Sequence, residues 1–499
     1  MESSPNKKHL LQNWFSVAGA ISAVVCFSVI LCLIILDIIS KGANPYLIGF
    51  TYLILPLFLI FSIFLILFGA WRERKRREKH GHVKKFPHID FNDPSHQKWA
   101  FIIIAIATLF LFFSTYGAYR AYEFTESVQF CGKVCHQVMN PEFTAHSFSP
   151  HAHVSCTECH VGSGPDWYVR SKLSGLRQIY KAATHTYHQP IETPVKNLRP
   201  AQETCEHCHW PQQFYGAVEL DKNYFLSDES NTEWRTKMLV FVGGGAPPFG
   251  KREGIHWHMN IKNKIYYVAS DDKRQVIPWV KSISPDGKAT VFVDKKSKAS
   301  AEHPPKGEMR RMDCIDCHNR PTHIYRAPSE AVDEAMGSHA LDSSLPYMKR
   351  EAVKALTKEY DSTETARDQI RKYLETFYES HYPDAISQKK ESLDKSIEAV
   401  QKIYETNFFP HMKVSWKKYP NNIGHLISTG CFRCHDGKHK SQDGRMISND
   451  CRTCHIITSQ GPVGAIESSA DGLEFKHPND EEGAWKEASC TDCHTGGPA

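Results

Sequence analysis

Hydrophobic and polar positions divide the 499-residue chain into a strongly apolar N-terminal part and a polar remainder. Three apolar stretches, residues 14–36, 46–68 and 99–119, are each long enough to span a bilayer as a helix. The first is too long for a signal-peptide core and lacks a small-x-small cleavage site, so we expect it to be retained. The pattern predicts a three-helix membrane anchor over residues 1–120.

The distribution of basic residues orients this anchor. Residues 72–79 carry six basic side chains, and Lys84 and Lys85 follow them. Basic loops remain in the cytoplasm, which predicts a cytoplasmic loop over residues 72–98, a cytoplasmic N-terminus and a periplasmic chain after residue 119. We therefore expect a bacterial inner-membrane protein. None of the three stretches contains a histidine, so a b-type haem held between the membrane helices is excluded.

The polar remainder contains both strand and helix patterns. Short β-rich runs separated by glycine and aspartate turns predict a small β insertion over residues 231–298. The runs cover residues 238–242, 255–259, 264–269, 276–283 and 289–293. Helical periodicity predicts one helix before this insertion, at residues 166–183, and a helical spacer after it, over residues 329–410. The helices of the spacer cover residues 329–335, 347–360, 366–378 and 385–408.

Cysteine spacing supplies the chemistry. Of 16 cysteines, 14 fall into seven Cys-x-x-Cys-His motifs, of which the first has one extra residue between its cysteines. This motif attaches a c-type haem, because two thiols add to the haem vinyl groups and the adjacent histidine binds the iron. Numbered 1 to 7 along the chain, the motifs are Cys131/Cys135/His136, Cys156/Cys159/His160, Cys205/Cys208/His209, Cys314/Cys317/His318, Cys431/Cys434/His435, Cys451/Cys454/His455 and Cys490/Cys493/His494. The sequence thus predicts a membrane-anchored, mainly α multihaem cytochrome c, whose haem-packed periplasmic domain has little regular structure.

The alternative for such cysteine pairs is a set of zinc knuckles, but zinc does not require the same trailing histidine in every motif. Cys26 and Cys32 lie in the first apolar stretch, so no thiol remains for structural disulfides. Motifs 1 to 4 define a tetrahaem domain over residues 121–328, and motifs 5 to 7 define a trihaem domain over residues 411–499. The formal charge of +5 does not indicate a nucleic-acid partner.

Each attached haem leaves a sixth iron position, which electron carriers fill with histidine or methionine. Histidines outside the motifs exceed the number of sites, and this surplus favours bis-histidine haems. The candidates near a motif are His146, His153, His188, His323, His425, His439 and His477. His256 and His258 share one face of a predicted strand, so at least one of them is expected to reach a haem from the β insertion. For any one of them, an ordinary surface or core histidine is the alternative. Met139, which follows His136 closely, is either a ligand of the first haem or a packing residue.

The order of these features resembles a known family. A membrane span precedes Phe130-Cys131 and His136-x-x-Met139, His146 precedes Cys156-Thr157-Glu158-Cys159-His160, and a basic helix follows. Motif 4 continues as Asn319-Arg320-Pro321-Thr322-His323. Residues 99–328 resemble the tetrahaem NapC/NirT quinol dehydrogenases. With three spans and seven motifs, the whole chain most resembles the ImcH-type inner-membrane cytochromes of metal-reducing bacteria.

The resemblance implies menaquinol oxidation at the first haem, on the outer surface of the membrane. It implies that Met139 is the unusual ligand of that haem, and that His146 and His323 are distal ligands of other haems. In the family a lysine and an acid near the first haem handle the quinol. Asp166, Arg170 and Lys172 lie in the corresponding segment of this chain.

The leading hypothesis is therefore a quinol dehydrogenase that passes electrons from the menaquinol pool through seven covalently bound haems to periplasmic c-type cytochromes, in anaerobic or extracellular respiration. A terminal reductase of nitrite or a similar small substrate is the alternative, but it needs an open-site haem, and all seven motifs end in histidine. A haem-based sensor would not need so many haems.

Overall fold

The computed structural model describes residues 10–39, 51, 55–80, 92–134, 136–161, 165–195, 200–210, 214–243, 254–259, 263–479 and 483–498. The chain divides into two compact units. One contains residues 1–127 and 160–177, and the other contains residues 128–159 and 178–499. The longer helices are α1 (Trp14–Ile39), α2 (Leu55–His80), α3 (Pro94–Thr125), α4 (His136–Ser147), α5 (Pro165–Ala183), α6 (Pro328–Gly337), α7 (Met348–Thr357), α8 (Thr363–His381) and α9 (Pro383–Asn407).

In the first unit, α1 and α2 pack closely because small residues line their contact. A Cβ atom on Gly19 would lie 2.7 Å from the Ser62 carbonyl oxygen, so the two backbones approach each other directly there. The Ser16 hydroxyl donates to the Ile66 carbonyl oxygen at 3.0 Å. Both helices are long and apolar enough to cross a membrane.

The third predicted span is a helix, α3, which extends beyond both predicted ends and exposes apolar side chains such as Phe101 and Phe110. It is not among the described helices that qualify as membrane spans by length and composition, so a third crossing stays a prediction. The basic run at residues 72–79, expected in a loop, forms the last turns of α2 instead. Part of the predicted loop, residues 81–91, lies outside the described residues.

The second unit holds its largest apolar core in the predicted helical spacer. The four predicted helices are present as α6 to α9. In α8, Ala366, Ile370, Leu374 and Tyr378 recur every fourth residue and are all fully buried, because this spacing places them on one face of a helix. The Ser362 hydroxyl caps the start of α8 by accepting a hydrogen bond from the Thr365 backbone N–H.

Two antiparallel sheets lie in the same unit. Their strands are β1 (Ala217–Phe225), β2 (Glu233–Phe241), β3 (Lys264–Val268), β4 (Trp279–Ile283), β5 (Ala289–Asp294), β6 (Met309–Arg311), β7 (His439–Ser441), β8 (His455–Pro462) and β9 (Glu467–Leu473). The strand orders are β1-β2-β8-β9 and β6-β3-β4-β5-β7.

The sheets extend beyond the predicted β insertion. Residues 231–298 supply only part of each sheet. β1 and β6 lie just outside this range, and β7, β8 and β9 come from the chain between motifs 5 and 7. The insertion is therefore not self-contained, because its strand edges pair with strands from much later in the chain. One predicted run is also not a strand, since Ile255–Met259 forms a 3₁₀-helix.

Candidate haem centres

The attachment motifs form single helical turns. Cys314–Cys317 and Cys490–Cys493 are short α-helices, each closed at its start by a capping box. Motifs 5 and 6 form 3₁₀ turns at Gly430–Arg433 and Cys451–Thr453. A helical turn places cysteines three residues apart on one side, as attachment to one porphyrin edge requires. No cysteine in the described part of the chain forms a disulfide.

Cys208 is the second cysteine of motif 3 and follows the short helix of that motif. The residue is exposed, as are Cys451 and Cys493. The cause is local, because the short helix Ala201–Cys205 ends at the first cysteine of the motif and Cys208 lies in the turn beyond it. There its backbone N–H donates to the Cys205 carbonyl oxygen at 3.1 Å. An exposed thiol is accessible to a haem vinyl group, which is compatible with haem attachment. Attachment at Cys208 stays a prediction.

Motif 1 accommodates its extra residue in a π-helical turn, Phe130–Val134. A π turn contains one residue more than an α turn and is frequent at functional sites. Gly132 lies inside this turn against the ring of Phe143, where a Cβ atom would be only 2.1 Å from Phe143 Cδ2. Cys135 lies outside the described residues.

Five motif histidines lie opposite a second histidine. Their ring centres are separated by 6.0 Å for His151 and His209, 6.3 Å for His256 and His318, 5.9 Å for His258 and His435, 6.2 Å for His425 and His455, and 5.8 Å for His477 and His494. Two imidazoles that bind one iron from opposite sides, through metal–nitrogen bonds of about 2.0 Å, hold their ring centres roughly 6 Å apart. The five separations therefore fit bis-histidine haems at motifs 3 to 7.

In several of the paired rings, the second nitrogen is hydrogen-bonded to a backbone carbonyl oxygen. Nδ1 lies 2.8 Å from the Val242 oxygen in His256, 2.9 Å from the Ile255 oxygen in His258 and 2.7 Å from the Ser448 oxygen in His435. Such bonds fix the ring and leave Nε2 for a metal. His256 and His258 lie on the single 3₁₀ turn Ile255–Met259 and reach two different motifs, so one short segment serves two neighbouring centres.

Three of the predicted ligands, His258, His425 and His477, lie in such a pair. Other predicted ligands do not. His439 is only 1% exposed, and its two ring nitrogens are hydrogen-bonded to Asp436 Oδ1 at 2.9 Å and to the Ile277 oxygen at 2.7 Å, so neither nitrogen is left for iron. His188 is exposed, and its Nε2 lies 3.7 Å from a Glu192 carboxylate oxygen at the surface.

His151, rather than His153, faces motif 3. His153 is exposed, whereas His151 Nδ1 is held 3.2 Å from the Pro321 carbonyl oxygen and its ring faces His209. The prediction of His153 was based on its proximity to Cys156 along the chain, and no local signal distinguishes the two histidines. His256 pairs with His318, although only its proximity to His258 drew attention to it.

Three further candidates are not in these five pairs. His146 is buried, with Nε2 at 3.0 Å from the Val154 carbonyl oxygen, and His323 has Nδ1 at 3.1 Å from the Glu142 oxygen. Met139 is half-buried in the first turn of α4. The His136 side chain lies outside the described residues, so the ligation of the first haem by Met139 stays a prediction.

Thiols of neighbouring motifs approach one another. A hydrogen bond with Cys131 lowers the pKa of the Cys156 thiol to about 7, which brings motifs 1 and 2 together. The thiols of Cys205 and Cys314 are hydrogen-bonded, which lowers the pKa of Cys205 and brings motifs 3 and 4 together.

The later motifs continue this series. Burial raises the pKa of Cys317 to about 11, and the thiol of Cys431 in the next motif contributes to the rise. Burial likewise raises the pKa of Cys454 to about 11, with a contribution from Cys431. Burial also raises the pKa of Cys490, with a contribution from Cys451. The attachment points of motifs 3 to 7 thus follow one another in space in the same order as in sequence.

A buried guanidinium also fits haem. Arg320, two residues after His318, lies 4.1 Å over the ring of Tyr419, and its Nε and Nη2 atoms are buried with no acceptor among the described residues. Burying an unpaired charge is costly, so such a group calls for an anion. Haem propionates are carboxylates, and a guanidinium binds carboxylates well. Burial lowers the pKa of Arg320 and outweighs the opposing effect of nearby groups, which include the Glu142 carboxylate.

The residues expected to handle quinol lie in the first unit. On α5, Lys172 forms an ion pair with Glu126, the residue that ends α3. Arg170 lies over the ring of Trp167 at 5.5 Å. The Asp166 side chain lies outside the described residues. Glu126 was not among the expected residues, although its position five places before Cys131 was visible in the sequence.

Together, the attachment turns and the paired imidazoles define a c-type cytochrome, and comparison with known proteins agrees. Residues 93–202 match the NapC/NirT cytochrome c family, N-terminal region. The chain is 42% identical over 487 residues to the cytochrome c-type protein ImcH of Geobacter sulfurreducens, an alignment that covers 97% of this chain and 95% of that protein. No solved structure matches the chain.

The chain therefore belongs to the NapC/NirT family of membrane-anchored c-type cytochromes. This relationship establishes covalently bound haem c as its cofactor and electron transfer as its role. It also confirms the class predicted from the attachment motifs.

Proposed function

We propose that the protein is an inner-membrane menaquinol dehydrogenase that carries seven haems and delivers electrons to periplasmic c-type cytochromes in anaerobic or extracellular respiration. Its haem-bearing part faces the periplasm in this proposal. The observation that carries it is the set of five histidine pairs at haem spacing, joined by successive thiol proximities from motif 3 to motif 7. When bound, the haems accept and release single electrons.

The residues of this chain have separate tasks in the proposal. The motif cysteines would anchor each haem, and the paired histidines would ligate the iron. Arg320 would hold a propionate. Two histidines per haem at motifs 3 to 7 would leave no open site for substrate there, which disfavours the nitrite-type reductase at those centres.

Quinol oxidation releases two electrons, one at a time, and two protons. A proton acceptor at the outer end of α3 is therefore needed. The ion pair of Lys172 and Glu126 supports this assignment, because it places a carboxylate and a lysine side chain together at that end of α3. Asp166 and Arg170 complete the proposed quinol region on sequence grounds.

The purified full-length protein tests the proposal. Mass spectrometry is expected to show seven haem masses added to each chain. A menaquinol analogue is expected to reduce the haems, as followed by their visible absorption bands, and a periplasmic cytochrome to reoxidise them. Haems that dithionite reduces and the analogue leaves oxidised would rule out quinol oxidation.

A further inference from the structure

Phe432 links two neighbouring centres in an unusual way. It lies between the two cysteines of motif 5, but its ring stacks on His425, the histidine opposite motif 6. The ring centres are 4.3 Å apart and the planes differ by 10°. This is the shortest ring separation that any paired histidine makes in the described part of the chain.

Among the described residues, no other residue holds Nδ1 of His425 by the hydrogen bond that normally orients a metal-binding histidine. The opposing ring pair at motif 5, His258 and His435, has both Nδ1 atoms held by carbonyl oxygens. At motif 6, Nδ1 of His425 and Nδ1 of His455 are both buried and have no partner in the residues described. Ligating imidazoles almost always donate this N–H to a carbonyl, a carboxylate or water, and the bond fixes the ring plane. Another contact must fix the plane of His425.

The plane matters because it sets the spectrum of the iron. His425 and His455 are within 15° of parallel, whereas His258 and His435 are 83° apart. Parallel imidazole planes separate two iron d orbitals in energy and give a rhombic low-spin ferric electron paramagnetic resonance (EPR) signal. Perpendicular planes leave the two orbitals nearly equal and give a far more anisotropic signal.

We propose that Phe432 is a positioning residue that fixes the ring plane of His425 by stacking, in place of the missing hydrogen bond. This inference rests on the proposed ligation of the haem at motif 6 by His425 and His455. In this proposal, a residue of the attachment segment at motif 5 fixes the orientation of a ligand at motif 6. A shift in one segment would therefore change the ligand geometry at the neighbouring haem.

The experiment compares ferric EPR spectra of the full-length protein and its Phe432→Leu and Phe432→Tyr variants, each with its haem content measured by mass spectrometry. Leucine fills similar space without an aromatic plane, and tyrosine keeps the plane. Phe432→Leu is expected to lose one haem's share of the rhombic signal and gain a broader, more anisotropic one. Phe432→Tyr is expected to retain the native spectrum. An unchanged spectrum in a fully haem-loaded Phe432→Leu protein overturns the inference.

A third variant, His425→Ala, separates this result from the proposed ligand set. If His425 binds iron, its removal converts one rhombic haem to a high-spin or altered signal. A changed spectrum in His425→Ala together with a native one in Phe432→Leu leaves the ligation intact and rejects the role of Phe432. A native spectrum in His425→Ala rejects both. Should Phe432→Leu fail to retain all its haems, Phe432→Ile gives the same comparison with a stiffer aliphatic side chain.

Discussion

The imidazole of His151 lies opposite that of His209, with ring centres 6.0 Å apart and planes 82° from parallel. This pair supplies a sharp test of the ligand assignment, because His153 lies only two residues from His151 and is exposed. His151→Ala is expected to convert the haem at motif 3 from low-spin to high-spin, seen as one haem's share of high-spin ferric EPR signal. His153→Ala is the matched comparison and is expected to keep the native spectrum. The reverse result would restore His153 as the ligand.

Gly132 tests the π turn of motif 1. Gly132→Ala places a Cβ atom 2.1 Å from the Phe143 ring, so the turn or the ring must move, at a cost of about 1–3 kcal/mol. We expect a lower midpoint of thermal unfolding and incomplete haem attachment at Cys131, measured by peptide mass spectrometry.

The control for Gly132→Ala is Gly175→Ala, in the middle of α5. Nothing lies within 4 Å of its Cβ position, and alanine favours the helix by about 0.5–1 kcal/mol. This variant is expected to attach every haem. Equal, native behaviour of both variants would show that the turn tolerates a side chain.

We expect the ion pair of Lys172 and Glu126 to affect reduction of the haems by quinol but not by other reductants. Lys172→Gln and Glu126→Gln each remove a charge from the proposed proton-accepting pair, and we expect the rate of reduction by a menaquinol analogue to fall by roughly 10²-fold or more. Arg177→Gln, an exposed cation on the same helix, is expected to retain the native rate.

Reduction by dithionite is the second control for these variants, since it does not need the quinol region. An equal loss with both reductants would indicate damaged haem attachment. A native quinol rate in both Lys172→Gln and Glu126→Gln would place the quinol elsewhere.

The surroundings of Glu351 lead us to expect that acid lowers the stability of the helical core. Its carboxylate is only 2% exposed, and hydrogen bonds from Tyr373 at 2.6 Å, Arg350 at 2.5 Å and Lys354 at 3.1 Å outweigh burial and lower its pKa. A carboxyl whose pKa is lower in the folded than in the unfolded state stabilises the fold above its unfolded pKa, and that stability is lost as the pH falls through the folded pKa.

We therefore expect the urea midpoint, followed by far-UV circular dichroism, to fall as the pH drops below the ordinary glutamate pKa of about 4.3. Glu351→Gln is expected to lose about 2 kcal/mol at neutral pH and to show a smaller additional loss in acid. Glu391→Gln removes an exposed glutamate from the helical region and is the control, expected to unfold like the native protein. Parallel pH curves for Glu351→Gln and the native protein would contradict the assignment.

Much of the architecture followed from local patterns. The spacing of apolar residues predicted α8 and α9, because a helix repeats every 3.6 residues whatever it packs against. The β-rich composition of residues 264–269, bounded by turn residues, predicted β3. The 3₁₀ turn at Ile255–Met259 was misread as a strand, since five residues with mixed side chains do not distinguish the two structures.

The pairing of the sheets could not be read locally. β2 pairs with β8 and β5 pairs with β7, and both partners come from the chain between motifs 5 and 7. A strand pattern shows that a segment has an edge to pair, but it does not show which distant segment will occupy that edge.

The sequence alone determined the chemistry of this protein, because haem attachment needs two thiols and a histidine within a single turn, which is a local property. It also determined the apolar helices and the cofactor class. The tertiary structure decided which histidine lies opposite which motif. From the sequence, His151 and His256 could not be told from their neighbours, and His439 was wrongly expected to bind iron. The reason is that the fold selects the distal ligand. It is the imidazole whose ring centre lies about 6 Å from that of the motif histidine and which keeps one nitrogen available for iron.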